Sequence, residues 1–170
     1  MTFLIYALVL VVAAVVESTV GYRLEVTGGR LNLVLMLVVA WGLQRGLHQG
    51  LQAGLVGGLA LDLVSGTPFG LQTTLIGLIG GASALGEVTL GRGGLGPLFG
   101  TAILATVAYH GLIVLVLALP VFGWELPGAM RMVNMLVPTI FMNCLVILFA
   151  ARLAHRIDRA FSGWRRLEIG

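Results

Sequence analysis

The sequence predicts an all-α integral membrane protein with six transmembrane helices, and three observations predict it. Apolar residues make up 58% of the chain and charged residues only 10%, with a mean hydropathy of +1.03; a soluble domain carries about a quarter charged residues. Apolar stretches of span-like length alternate with short polar links. The 25 glycines follow no Gly-X-Y period, a composition of closely packed membrane helices rather than of collagen or a linker. No soluble domain fits in the remainder. The chain divides into a six-helix transmembrane domain, residues 1–151, and a basic amphipathic cytoplasmic tail, residues 152–170.

The first predicted helix, Thr2–Val20, is apolar apart from Glu17 and Ser18. It reads as a retained span rather than a signal peptide, because it lacks a basic n-region and a small-residue cleavage site. Glu17 is expected to pair with Arg23 in the polar link Gly21–Arg30. Leu31–Leu43 is the weak span, offering only about 20 Å of helix. It gains length if Arg30 and Arg45 snorkel at its ends, and Trp41 suits the headgroup level; a re-entrant segment is the alternative.

The third helix begins near Arg45 and carries Gly46, Gly50, Gly54 and Gly58, one every fourth residue, with Asp62 one step further on the same stripe. Ser65-Gly66-Thr67-Pro68 then breaks the helix. Gly66 is expected to take the left-handed conformation that ends a helix, Thr67 to cap the next helix and Pro68 to occupy its first position. The fourth helix, Phe69 to about Val88, would then lie antiparallel with almost no loop, placing Gly58 level with Gly77 and Gly54 level with Gly81. The stripe either seats this helix, the reading preferred here, or docks a helix of another protein.

After a Gly-rich link with Arg92, the fifth span runs Pro97–Leu119 and ends at Pro120. A loop, Val121–Arg131, with Trp124, Glu125 and Pro127, leads to the sixth span, Met132 to about Ala151. In the tail, Arg152, Arg156 and Arg159 share one helical face and Leu153, Ile157, Phe161 and Trp164 another. With Arg165 and Arg166 these are the residues expected to meet the inner leaflet or, equally, a cytoplasmic protein. Lysine is absent, and half of the arginines lie in this tail, which places it, and with six spans the N-terminus too, in the cytoplasm.

No enzyme constellation is present. His48, His110 and His155 lie in separate segments. The single cysteine, Cys144, excludes an internal disulfide and a thiolate cluster. No cofactor, metal or nucleic-acid motif is found. Asp62 reads as a carboxylate near the interface, bonded to the Ser65–Thr67 turn or paired with Arg23 or Arg30, in preference to a substrate or ion ligand. Tyr109, His110, Asn134 and Asn143 read as interhelical hydrogen-bonding groups, in preference to a proton relay at Tyr109 and His110.

Gly54–Leu75, GLVGGLALDLVSGTPFGLQTTL, resembles the central signature of the MreD family of rod shape-determining proteins, at Asp62, Leu63, Ser65, Gly66, Pro68, Gly70 and Leu71. Length, span number and the short basic tail agree along the whole chain. Two positions depart from the pattern: Leu31-Asn32 stands where members often carry Pro-Asp, and Glu17 where a Gln is frequent. The resemblance implies a non-catalytic inner-membrane scaffold of the bacterial elongation machinery. Its partners would be MreC and, through it, RodA, a penicillin-binding transpeptidase and MreB. It also implies a fold similar to the substrate-binding subunits of energy-coupling-factor transporters, and hence an alternative function as a small-molecule-binding transporter subunit.

Overall fold

The computed structural model describes residues 2–20, 29–90, 94–119 and 129–162, all helical apart from short connections. The helices are α1 (Thr2–Val20), α2 (Leu33–Arg45), α3 (Leu47–Val64), α4 (Leu71–Ser83), the six-residue α5 (Leu85–Leu90), α6 (Leu95–Leu117) and α7 (Ala129–Ser162). Two of them, α6 and α7, are long and apolar enough to cross a membrane.

The weak span is the centre of the molecule. Every residue of α2 from Val34 to Leu43 is buried, and α1, α3, α4, α6 and α7 all pack on it. A helix apolar on every side belongs in an interior, which accounts for a sequence with no polar face. Trp41, near the Arg45 end of this helix, points into the bundle. It is fully buried and stacked on Tyr6 of α1, ring centroids 3.9 Å apart. The Tyr6 hydroxyl donates to the Leu37 carbonyl at 2.7 Å.

Several boundaries differ from the sequence expectation. Arg45 closes α2 rather than opening α3. Gly46 separates the two helices at φ 87°, a left-handed backbone open to glycine at little cost. Gly66 is not the left-handed residue of the next turn; Gly70 is, at φ 92°. Thr67 and Pro68 accordingly do not start α4. They lie in a connection whose last bond runs from Leu71 N–H to the Pro68 carbonyl. The fourth helix also stops early. Ser83 Oγ donates back to the Gly80 carbonyl at 2.7 Å, and α5 follows a turn at Ala84. The sixth span and the start of the tail form one continuous helix, α7, in which Ala154 and Ile157 still belong to the buried core. Arg23, Glu25, Arg92, Trp124, Glu125, Pro127, Trp164, Arg165 and Arg166 lie outside the described residues, as does the Phe161 side chain.

Candidate functional site

Glycine lets α3 and α4 touch backbone to backbone. A Cβ built on Gly54 would lie against the Ile76 carbonyl oxygen and 2.7 Å from Gly77 Cα. On Gly58 it would meet Gln72 O at 2.6 Å, and on Gly50 it would meet Gly80 O and, at 2.8 Å, Gly42 Cα. The α3 stripe is thus covered by α4. The facing register is Gly54 with Gly77 and Gly58 with Thr73, about one turn away from the pairing of Gly58 with Gly77 and Gly54 with Gly81. Gly81 has only an ordinary contact, Leu51 Cβ at 3.5 Å. Gly46 lies off the stripe, with nothing near its Cβ position. Further glycines that the spacing does not single out are equally close-packed, among them Gly57 against Val34, Gly42 against Gly80 and Ser83, and Gly86 against Thr101.

The register follows from Asp62. Its carboxylate does not bond the Ser65–Thr67 turn. It accepts the backbone N–H groups of Gly70 (3.0 Å), Gln72 (3.0 Å) and Thr73 (2.9 Å) and the Thr73 hydroxyl (2.5 Å). These are the donors that a helix leaves unpaired in its first turn, so Asp62 caps α4 from the preceding helix, with its charge on the favourable end of the α4 dipole. Holding residues 70–73 level with Asp62 sets Thr73 beside Gly58, one α3 turn away. Ser65 Oγ and Thr67 Oγ1 bond each other instead, at 2.7 Å. With four donors on two oxygens, Asp62 is a structural group rather than a free ligand.

The same end of the bundle gathers most other buried polar groups. Glu17 of α1 accepts the Val34 N–H at 2.8 Å, so one carboxylate caps α2 as Asp62 caps α4. Asn32, at the N-cap position, makes no side-chain cap; the two departures from the family pattern meet here. Asn143 Oδ1 accepts Asn32 N–H at 3.2 Å, and its Nδ2 donates to Thr106 Oγ1 at 3.0 Å. The Tyr109 hydroxyl donates to Gln72 Oε1 at 2.5 Å. His110 Nδ1–H donates to the Thr106 carbonyl of its own helix at 2.9 Å. Asn143 and Tyr109 thus bond between helices, whereas Asn134 is exposed in a groove with Val133, Val137, Pro138 and Phe141.

At the opposite end, Arg45 forms an ion pair with Asp158 and lies 5.3 Å from the Trp41 ring centroid. Gln44 Nε2 donates to the Ala151 carbonyl at 3.1 Å. These contacts strap α7 to the α2–α3 corner. Arg152, Arg156 and Arg159 are exposed there. Among the described residues no three His, Cys, Asp or Glu side chains group closely enough to hold a metal ion.

A family model for the rod shape-determining protein MreD matches residues 1–153. The chain belongs to the MreD family. No curated protein and no solved structure matches it. Membership makes this a membrane protein with a role in rod shape determination, from a structural rather than a catalytic family. In this MreD-family chain Asp62 and Gly70 have a physical role: one caps α4, the other supplies the left-handed turn before it.

Proposed function

We propose that this MreD-family chain is a non-catalytic, multi-pass scaffold of the bacterial inner membrane, with both termini in the cytoplasm. It crosses the membrane six times, α4 and α5 together forming the fourth crossing. It binds an MreC-type protein and, through it, acts with RodA, a penicillin-binding transpeptidase and MreB to maintain cell shape and peptidoglycan synthesis. The inner-leaflet role of Arg152, Arg156, Arg159, Trp164, Arg165 and Arg166, and the fold likeness to energy-coupling-factor binding subunits, belong to the same reading.

The observation that carries it is the family match over residues 1–153. Side-chain chemistry supports it: Asp62, Glu17 and the Arg45–Asp158 pair are all engaged in holding helices together. The outward faces of α1, α6 and α7 are lined by large apolar residues such as Leu8, Leu104 and Phe149, as lipid contact requires. The test is co-purification in mild detergent of the tagged full chain with the MreC-type protein of the same cell. A stoichiometric complex is expected; clean separation of the two contradicts the proposal.

A further inference from the structure

One face of α7 is exposed along most of its length. Val137, Phe141, Leu145, Phe149, Arg152 and Arg156 follow one another at intervals of three or four residues, and all are exposed. They form a single helical stripe. The buried Asn143, Ile147, Ala150 and Ala154 lie on the opposite side, against the bundle. The stripe changes character once, between Phe149 and Arg152. It is apolar before that point and cationic after it.

The apolar part has the length of a bilayer interior. No charged residue occurs between Arg131 and Arg152, a separation that a helix spreads over roughly 30 Å. The hydrocarbon core is about 30 Å thick. Beyond Arg152, Ala154 and Ile157 still face the core, so α7 continues through this level as a bundle helix and does not turn aside. In a spanning α7, Arg152 and Arg156 reach the headgroup layer side-on, with Phe149 and Leu145 beneath them.

These two guanidinium groups have no acid of their own. Asp158 is taken by Arg45, and neither Arg152 nor Arg156 has an ion pair among the described residues. They sit one turn apart, where like charges repel. A phosphate between them relieves the repulsion and accepts charge-assisted hydrogen bonds from both.

We propose that Arg152 and Arg156 hold the phosphate of one anionic phospholipid of the inner leaflet, its acyl chains lying along Phe149, Leu145 and Phe141. Charge complementarity selects the headgroup, and the apolar part of the same stripe takes the chains. An acidic protein segment matches the arginines alone. The site rests on the multi-pass reading with a cytoplasmic α7 end, and it names the lipid class that end recognises.

Native mass spectrometry of the full-length chain, released from detergent micelles, tests it with phosphatidylglycerol and phosphatidylcholine of identical chains. A basic residue near an anionic headgroup is worth about fivefold in affinity, and two about thirtyfold. Phosphatidylglycerol is therefore expected to bind about ten- to thirtyfold more tightly than phosphatidylcholine. Arg152→Gln combined with Arg156→Gln should abolish that preference. Arg131→Gln, at the other end of the same helix, should keep it. All three positions are exposed, so both variants should melt within about 2 °C of the wild type. Glycerol 3-phosphate, which has the phosphate but no chains, should not displace the lipid at about a hundredfold excess; displacement would overturn the lipid assignment. Equal affinity for the two lipids, or a preference that survives the double variant, overturns the site and leaves the multi-pass reading intact. Loss of the preference in Arg131→Gln alone puts the anionic lipid at the other end of α7 and overturns it too. Extraction of the wild-type chain from membranes by alkaline carbonate would instead contradict the multi-pass reading itself.

Discussion

Gly54→Ala isolates the close approach of α3 and α4 with a single methyl group. Alanine is the better helix former by about 1 kcal/mol, so helix propensity alone favours the variant. The added Cβ, however, would lie against the Ile76 carbonyl oxygen, 2.7 Å from Gly77 Cα and 2.8 Å from the Ile76 carbonyl carbon. All three are backbone atoms, which no rotamer change moves aside, so the helices must separate by roughly 1 Å to restore ordinary contact. Overpacking of this kind costs about 1–3 kcal/mol, and separation also loosens the Asp62 cap and the Gly58–Thr73 contact. The net expectation is a loss of up to about 2 kcal/mol after the propensity gain. Gly81→Ala is the internal control: its Cβ would meet Leu51 at 3.5 Å, an ordinary distance, so this variant should be neutral or gain up to about 1 kcal/mol. Thermal unfolding of both purified variants in one detergent reads the difference. At about 2–4 °C per kcal/mol for a chain of this size, Gly54→Ala should melt several degrees below Gly81→Ala. Equal melting points would refute the argument, because they would mean that α4 does not press on Gly54.

Removing the cap by Asp62→Ala strands the N–H groups of Gly70, Gln72 and Thr73, and should cost about 2–4 kcal/mol in the same melting assay. Tyr109→Phe leaves the buried Gln72 Oε1 without its donor and should cost about 1–3 kcal/mol; a double-mutant cycle with Gln72→Leu should show that most of this loss belongs to the pair. Asp158→Ala breaks a half-exposed ion pair and should cost about 1 kcal/mol or less. Arg45→Ala should cost more than Asp158→Ala, because the guanidinium also lies over Trp41.

Helical class, membrane character and close helix packing were legible because they depend on composition and on a four-residue repeat, which survive without knowledge of neighbours. The glycine stripe and Asp62 stood out for that reason. The register did not, since it depends on which amides Asp62 grips, eight to eleven residues away. Counting outward from the Gly66–Pro68 turn put the pairing about one turn off. The left-handed residue was misplaced for a related reason: both Gly66 and Gly70 are glycine, and only the cap decides between them. Leu31–Leu43 looked weak because a short apolar segment with no polar face is ambiguous in sequence; packing against the surrounding helices makes it the core. Glu17 caps the unpaired amides of α2, a role that no spacing in the sequence marks, and its expected partner Arg23 lies outside the described residues. The buried Gly42, Gly57 and Gly86 fall outside the stripe and carry no periodic signal of their own.

The most direct test of the whole account is depletion of this protein in its own host, with cell width followed by microscopy. Cells are expected to widen and round as the protein disappears, and to recover with a wild-type or Gly81→Ala copy but not with Gly54→Leu, whose branched side chain the α3–α4 contact has no room for. Depleted cells that keep their width and shape over several divisions would contradict a role in rod shape determination.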